Sequence, residues 1–234
     1  PIAWFLRGTY RLAVNFDIKS QLTEAKVLLR YSGAFVTLAV FTGTTLFGLR
    51  YVYQVYFGIE VLGYWMVAQR ISDTSTQFIG LYMAQIFLPI YTSSLEKSIG
   101  RTVIIKSWFL VTALMSLFLI VFLIFPKSIV HIFLSDKYLP AIGMILLYML
   151  GDVFRVTVSL AMHVAFARGS LKRYLGIEIT AVALFAAITL MLTMRDNEWA
   201  PIIGYISGYG LTALLICLII VGSMLLKNRE DKII

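Results

Sequence analysis

Long apolar runs alternate with short polar loops along this chain, and the pattern predicts membrane-spanning helices. Tyr31–Leu49 and Ser107–Phe125 are each 19 residues long without a charged residue, and Trp199–Leu226 continues for 28. A helix needs about 20 mostly apolar residues to cross the hydrocarbon core of a bilayer. We therefore predict an all-α polytopic membrane protein with six transmembrane helices. The spans are placed near residues 30–57, 61–92, 102–125, 138–167, 171–194 and 200–226.

Turn-forming residues separate these spans. Gly58 lies between the first two spans, Gly169 before the fifth, and the pair Asp196 and Asn197 before the sixth. Pro89 lies late in the second span, where we expect it to kink or end the helix locally, because proline lacks the backbone N–H.

The segment before the first span admits two interpretations. Polar and apolar residues mix over 8–26, which predicts a solvated linker or, alternatively, an amphipathic helix lying along the membrane. The chain begins at Pro1 without methionine, and we expect it to be the C-terminal part of a longer protein. The predicted organisation is a preceding helix end and cytoplasmic linker over 1–26, a six-helix transmembrane lobe over 27–226 and a cytoplasmic tail over 227–234.

Basic residues are dense in every second loop, and this asymmetry predicts the orientation. Fourteen of the 20 Lys and Arg residues lie in the segment 7–30, the loops 93–106 and 168–173, and the tail. The alternate loops carry only Arg50, Lys127, Lys137 and Arg195. Because cytoplasmic loops carry the excess of Lys and Arg, the segment 7–30 and the C-terminus are predicted in the cytoplasm.

Composition agrees with a membrane protein and argues against several other classes. Hydrophobic residues make up 60% of the chain and charged residues 14%, whereas soluble domains have about 45–50% and about 25%. The net charge of +8 resides mainly in short loops between apolar runs, so we expect no nucleic-acid partner. Two histidines and one cysteine provide no metal-ligand cluster, and no phosphate-binding loop or nucleophile elbow is present. We expect no enzyme, no catalytic residues, no metal and no cofactor.

Two acid–base doublets lie inside apolar spans. Arg70 and Asp73 belong to the second span, and Asp152 and Arg155 belong to the fourth. Asp73 lies about 18 Å from the start of its span, near the bilayer centre, at a rise of about 1.5 Å per residue. A charge there costs roughly 2.5–3.5 kcal/mol even on lenient scales, so we expect these side chains to face other helices or a water-filled cavity.

The doublets have a structural interpretation as well as a functional one. Residues three apart share a helix face, so each doublet could neutralise itself and hold the bundle together. Buried ion pairs often contribute little net stability, which favours a function for Asp73, Asp152 and Arg155. Glu178 in the fifth span either pairs with the two basic residues about one turn earlier or points into the same cavity.

Small residues predict close packing of the last span. Gly204 and Gly208 have the GxxxG spacing, which lets transmembrane helices approach closely, and we interpret it as packing within the bundle. Gly151, next to Asp152, is a second position where a neighbouring helix could come near.

Two stretches of the chain resemble a known family of transporters. They are RISDTSTQFIGLYMAQIFLPIYTSSLEK and LYMLGDVFRVTVSLAMHVAFARGSLKRYLGIEIT. Their S-D…Q-F-I…L-P and G-D-V patterns are similar to those of Wzx-type polysaccharide flippases, in the multidrug/oligosaccharidyl-lipid/polysaccharide exporter superfamily. The resemblance covers most of 25–226 and is greatest to lipid III flippases of enterobacterial common antigen synthesis.

This resemblance implies a fold, a substrate and partners. It implies twelve helices in two lobes of six around a central cavity, of which this chain would be the second lobe. The implied activity is flipping of a polyprenyl-diphosphate-linked oligosaccharide from the cytoplasmic to the periplasmic leaflet of the bacterial inner membrane, by alternating access. The implied partners are membrane lipids, the N-terminal six-helix lobe and glycan polymerase machinery.

The family pattern also separates the candidate site residues. Asp73, Asp152, Arg155 and Glu178 match it as cavity residues, whereas Arg70 matches no position and rests on its charge and depth alone. The two arginines offer cations for the diphosphate. The three carboxylates are candidates for binding sugar hydroxyls or for H⁺ or Na⁺ coupling. Two other functions stay open, namely a cation-coupled multidrug antiporter of the same superfamily and a membrane scaffold that does not transport.

Overall fold

The described part of the chain is helical and contains no strand, as predicted. A computed structural model describes residues 18–95 and 100–230. The chain divides into two units, Pro1–Thr37 and Leu38–Ile234, and the described part of the first is a helix. Residues 18–26 of the predicted linker are therefore helical, and residues 1–17 lie outside the described part.

The α-helices are α1 (Ile18–Tyr82), α2 (Leu88–Leu95), α3 (Gly100–Ile124), α4 (Pro126–Phe133), α5 (Ile142–Ala167), α6 (Leu171–Thr193) and α7 (Ala200–Glu230). A π-helical turn, Met83–Phe87, joins α1 to α2, and a 3-10 turn, Asp136–Ala141, precedes α5. Most of the predicted span ends agree with these helices within a few residues. Helix α4, which has Pro126 in its first turn, lies between the third and fourth predicted spans, where the apolar pattern predicts a loop.

Helix α1 contains the first predicted span and the second as far as Tyr82, and the chain reverses between them at Gly58. Gly58 has a φ of 81° and a ψ of 174°, a conformation that is essentially restricted to glycine. Arg50 Nη2 consequently donates to Gln69 Oε1 at 2.8 Å. An unbroken helix would separate these two residues by about 28 Å, at about 1.5 Å per residue. The returning half of the helix, residues 59–82, is called α1b below.

The helix does not end at Pro89, where the sequence predicts a kink or an end, but its hydrogen-bonding pattern changes directly before this residue. Pro89 is the second residue of α2 and has no N–H to donate to the carbonyl of Gln85, four residues earlier. The chain takes a π-helical turn over Met83–Phe87, directly before this position. Widened turns of this kind are a recognised way for a helix to bend.

Large apolar side chains cover the outside of the second unit. Phe47, Leu123 and Ile219 are 73%, 62% and 71% exposed. Soluble monomers rarely expose large contiguous apolar surfaces, whereas lipid-facing helices do so. Five helices of the described part are long and apolar enough to cross a membrane, and the first of them contains the reversal at Gly58. The chain is a polytopic α-helical membrane protein.

Helix α5 lies at the centre of the second unit. One group of buried side chains surrounds Trp65, Tyr148 and Phe185, between α1b, α5, α6 and α7. A second group surrounds Phe87 and Met115, between the π-helical turn, α3 and α5. Side chains of α5 belong to both groups, so this helix positions Asp152 and Arg155 inside the bundle.

Helix α7 approaches its neighbours through glycines, as the GxxxG spacing predicts. A Cβ on Gly208 would lie 2.7 Å from the backbone nitrogen of Phe185, and one on Gly204 would collide with a side chain of α6. A Cβ on Gly151 of α5 would lie 2.5 Å from Cδ1 of Tyr205 on α7. In lipid, such close packing replaces hydrophobic burial as a main source of helix association.

Substitution of Gly208 by alanine tests this packing. We expect Gly208→Ala to lower the free energy of unfolding by about 1–3 kcal/mol, because the added methyl group must push α6 and α7 apart. Gly210→Ala is the matched control, since a Cβ there would meet Phe154 at 3.9 Å, an ordinary contact. Unfolding in detergent micelles measures both variants. Equal stability of the two would contradict the packing assigned to Gly208.

Candidate functional site

The charges of α1b and α5 meet between the helices and not within each helix. Arg155 Nη1 donates to Asp73 Oδ1 at 3.0 Å, forming an ion pair. Within the described residues, no ion pair joins Arg70 to Asp73 or Asp152 to Arg155. Neither doublet therefore forms an ion pair of its own, and the ion pair of Arg155 instead ties α1b to α5.

Asp152 is fully buried one turn before Arg155 and is surrounded by hydroxyl groups. Ser72 Oγ and Tyr205 OH donate to its Oδ1 at 2.7 and 2.6 Å. Its Oδ2 is buried as well, yet it has no hydrogen-bond partner among the described residues. Buried polar atoms are normally paired. The arrangement therefore leaves one carboxyl oxygen available to a proton or a small cation.

Two tyrosines of α7 complete the arrangement around Arg155. Nη1 of Arg155 also donates to Tyr205 OH at 3.3 Å and to Thr76 Oγ1 at 3.5 Å. The guanidinium carbon lies 5.8 Å from the ring centroid of Tyr209, which is within cation–π range. Three helices thus converge on one guanidinium group. The polar cluster, as it is called below, consists of Ser72, Asp73, Thr76, Asp152, Arg155, Tyr205 and Tyr209.

A cavity of about 360 Å³ opens beside the polar cluster. Asp73, Thr76, Gln77, Arg155 and Ser159 supply its polar lining. The side chains of Arg155 and Asp73 are 32% and 41% exposed, so a ligand in the cavity can reach the ion pair. The volume falls within the range of about 300–1,000 Å³ that small-molecule sites occupy. The cavity offers a cation for an anionic group and hydrogen-bonding partners for hydroxyl groups.

The structure does not bring Arg70 to this cavity. Arg70 is exposed and lines a different, largely apolar cleft of about 390 Å³, together with Thr74 and Phe78. Three residues advance a helix by about 300°, so Arg70 and Asp73 point about 60° apart. Because Asp73 is turned towards α5, Arg70 falls outside the contact.

Glu178 lies on α6 and is half-buried. It is close enough to Arg155 for their charges to interact, although it does not line the cavity itself. It forms no ion pair with Lys172 or Arg173 in the part of the chain that the structure describes. Glu178 therefore meets neither interpretation among the described residues: it pairs with neither base and is not part of the cavity lining.

Ser72, Tyr205 and Tyr209 were not predicted as site residues. Ser72 directly precedes Asp73, and its hydroxyl turns to α5 while the next side chain turns to the cavity. The two tyrosines lie among the glycines that bring α7 close to α5 and α6. A tyrosine hydroxyl inside an apolar helix normally finds a partner on a neighbouring helix. That signal becomes specific only when the neighbour is known.

Comparison of the chain with protein-family models, with curated proteins and with solved structures finds no match. The class that the fold and the site define is a polytopic α-helical membrane protein with a cross-helix polar cluster beside a polar cavity. The family that the sequence resembles stays a prediction.

Removal of the Tyr205 hydroxyl tests the role of the polar cluster. We expect Tyr205→Phe to lower the free energy of unfolding by about 1–3 kcal/mol, because buried Asp152 loses one of its two hydroxyl donors. Tyr82→Phe is the control, since its hydroxyl donates to the neutral Ser107 Oγ at 3.0 Å. If the two variants lose the same stability in detergent unfolding, Tyr205 has no special role in the cluster.

Proposed function

We propose that this chain is the second lobe of a flippase for a polyprenyl-diphosphate-linked oligosaccharide. In this proposal the headgroup passes from the cytoplasmic to the periplasmic leaflet of the bacterial inner membrane. The observation that carries it is the part-exposed Asp73–Arg155 pair, which faces a polar cavity inside an apolar bundle. A diphosphate and a sugar chain cannot cross hydrocarbon unaided, because desolvating them is too costly. The substrate class comes from the sequence resemblance.

Arg155 is the group that binds the diphosphate in this proposal. Its hydrogen bonds to Asp73, Thr76 and Tyr205 all use Nη1. Nη2 and Nε form no hydrogen bond in the described residues, so they are the donors that a phosphate oxygen would meet. The planar guanidinium fork suits bidentate contact with phosphate.

Binding of an anion at Arg155 offers a way to couple substrate to helix movement. A diphosphate competes with the Asp73 carboxylate for the same guanidinium group. Weakening of the Asp73–Arg155 pair loosens one of the contacts that hold α1b against α5. A ligand shifts a conformational equilibrium when it binds one state better than another, and exchange of an ion-pair partner supplies such a difference.

The N-terminal six-helix lobe supplies the opposite wall of the cavity in this proposal. The lipid tail stays in the bilayer while the headgroup passes between the lobes. Rigid-body alternating access around a site near the membrane centre then moves the headgroup from one leaflet to the other.

A cation-coupled multidrug antiporter is the second candidate function, and Asp152 favours it. A fully buried carboxyl group with one unpaired oxygen is a suitable carrier for H⁺ or Na⁺. In the flippase proposal the same group would carry the coupling ion. The two candidates therefore differ in the cargo and share the polar cluster.

Replacement of Arg155 by lysine in the full-length protein tests the flippase proposal. Lysine keeps the positive charge but loses the planar fork, so we expect glycan export to fall at least about tenfold, as for loss of a charge-assisted hydrogen bond. Arg70→Lys makes the same chemical change outside the polar cluster and should leave export unchanged. Both variants are expressed in a strain that lacks the gene, with protein abundance measured in the membrane.

The readout is undecaprenyl-linked glycan that accumulates on the cytoplasmic side of the membrane. Full export by a folded Arg155→Lys variant would contradict the role assigned to this residue. Raised drug sensitivity in the deletion strain without accumulated glycan would favour the antiporter. A scaffold would be favoured by two results together. The Arg155 variants would be degraded, and the deletion strain would show unchanged glycan export and unchanged drug sensitivity.

A further inference from the structure

A second cleft, of about 370 Å³, lies between α3, α5, α6 and α7. Its wall is largely apolar and includes Ile104, Ala161, Ile177 and Cys217. The polar atoms at its deep end are already paired, because Trp108 Nε1 donates to Thr157 Oγ1 at 3.0 Å. This end of the cleft therefore suits hydrocarbon and offers little to a polar ligand.

Two arginines lie at the opposite end of the same cleft. Arg168 caps the C-terminus of α5, and Arg173 lies in the first turn of α6. Arg168 Nε donates to Tyr91 OH at 2.9 Å, which holds the guanidinium group at the mouth. Neither arginine forms an ion pair with another described residue. The mouth thus presents two positive charges next to an apolar wall.

The dimensions and the opening of the cleft match a lipid chain. Between Thr157 and Arg168 the wall follows α5 for about 16 Å, at about 1.5 Å per residue. The small side chain of Ala161 leaves room along this path. Ile105 on the rim is 44% exposed, so the cleft opens sideways onto the surface that lipid covers.

We propose that this cleft binds an anionic phospholipid, with its phosphate on Arg168 and Arg173 and one acyl chain along the apolar wall. Basic pockets between transmembrane helices are suited to anionic lipid headgroups. A lipid-linked glycan fits less well, because its sugars would find almost no polar wall. The proposal rests on the cleft alone and holds whether or not the protein is a flippase.

Native mass spectrometry of the full chain in detergent tests the proposal with dioleoylphosphatidylglycerol and dioleoylphosphatidylcholine as probes. We expect preferential retention of the anionic lipid. Arg173→Gln should reduce that retention about fivefold, the effect of one basic residue on an anionic lipid. Lys172→Gln is the matched control, because Lys172 is the neighbouring exposed base and does not line the cleft.

A second variant tests the apolar wall without changing charge. Ala161→Phe fills the cleft and should reduce the retention of phosphatidylglycerol, while thermal unfolding reports whether the variant is folded. Equal retention of the two probes would overturn the proposal, and so would equal losses of retention in Arg173→Gln and Lys172→Gln. Either result would do so regardless of the result for Ala161→Phe. Stronger retention of undecaprenyl phosphate than of phosphatidylglycerol would overturn the assignment of the occupant.

Discussion

The arrangement of α1b and α5 depends on one constraint. The charges that these helices carry into the membrane must be compensated. One guanidinium group, that of Arg155, contacts Asp73 on one helix and Tyr205 on another. An uncompensated charge in hydrocarbon costs several kcal/mol. Separation of these helices would therefore leave charges without partners, in addition to losing packing contacts. Close approach of α7 is a precondition, because the Tyr205 hydroxyl reaches Asp152 only where glycine leaves the space.

Helix α5 separates two environments that differ in chemistry. Ser159 lines the polar cavity, whereas the next residue, Leu160, lines the apolar cleft. Adjacent residues on a helix differ in direction by about 100°, so one helix can present a polar face and an apolar face at the same depth. A polar headgroup and a hydrocarbon chain would accordingly be bound on different faces of the same element. The central position of α5 makes it the element through which the two sites could influence each other.

Much of the fold could be predicted from the sequence, because its determinants are local. The length of each apolar run and the reversal at Gly58 depend on neighbouring residues alone. The pairing of the charges could not be predicted in this way. Spacing shows which residues share a helix face, but it does not show which faces meet. Only the packing of the helices shows that Asp73 pairs with Arg155 and that Arg70 lies outside the cluster.

A double-mutant cycle on Asp73→Asn and Arg155→Gln tests the cross-helix pairing most directly. The free energy of unfolding in micelles is measured for the parent, both single variants and the double variant. The account predicts a coupling energy of about 0.5–3 kcal/mol for this pair, as expected for residues in contact. It predicts a coupling of at most about 0.5 kcal/mol for Asp73 with Arg70→Gln, the energy of an exposed pair three residues apart on one helix. Strong coupling of Asp73 to Arg70, and none to Arg155, would contradict it.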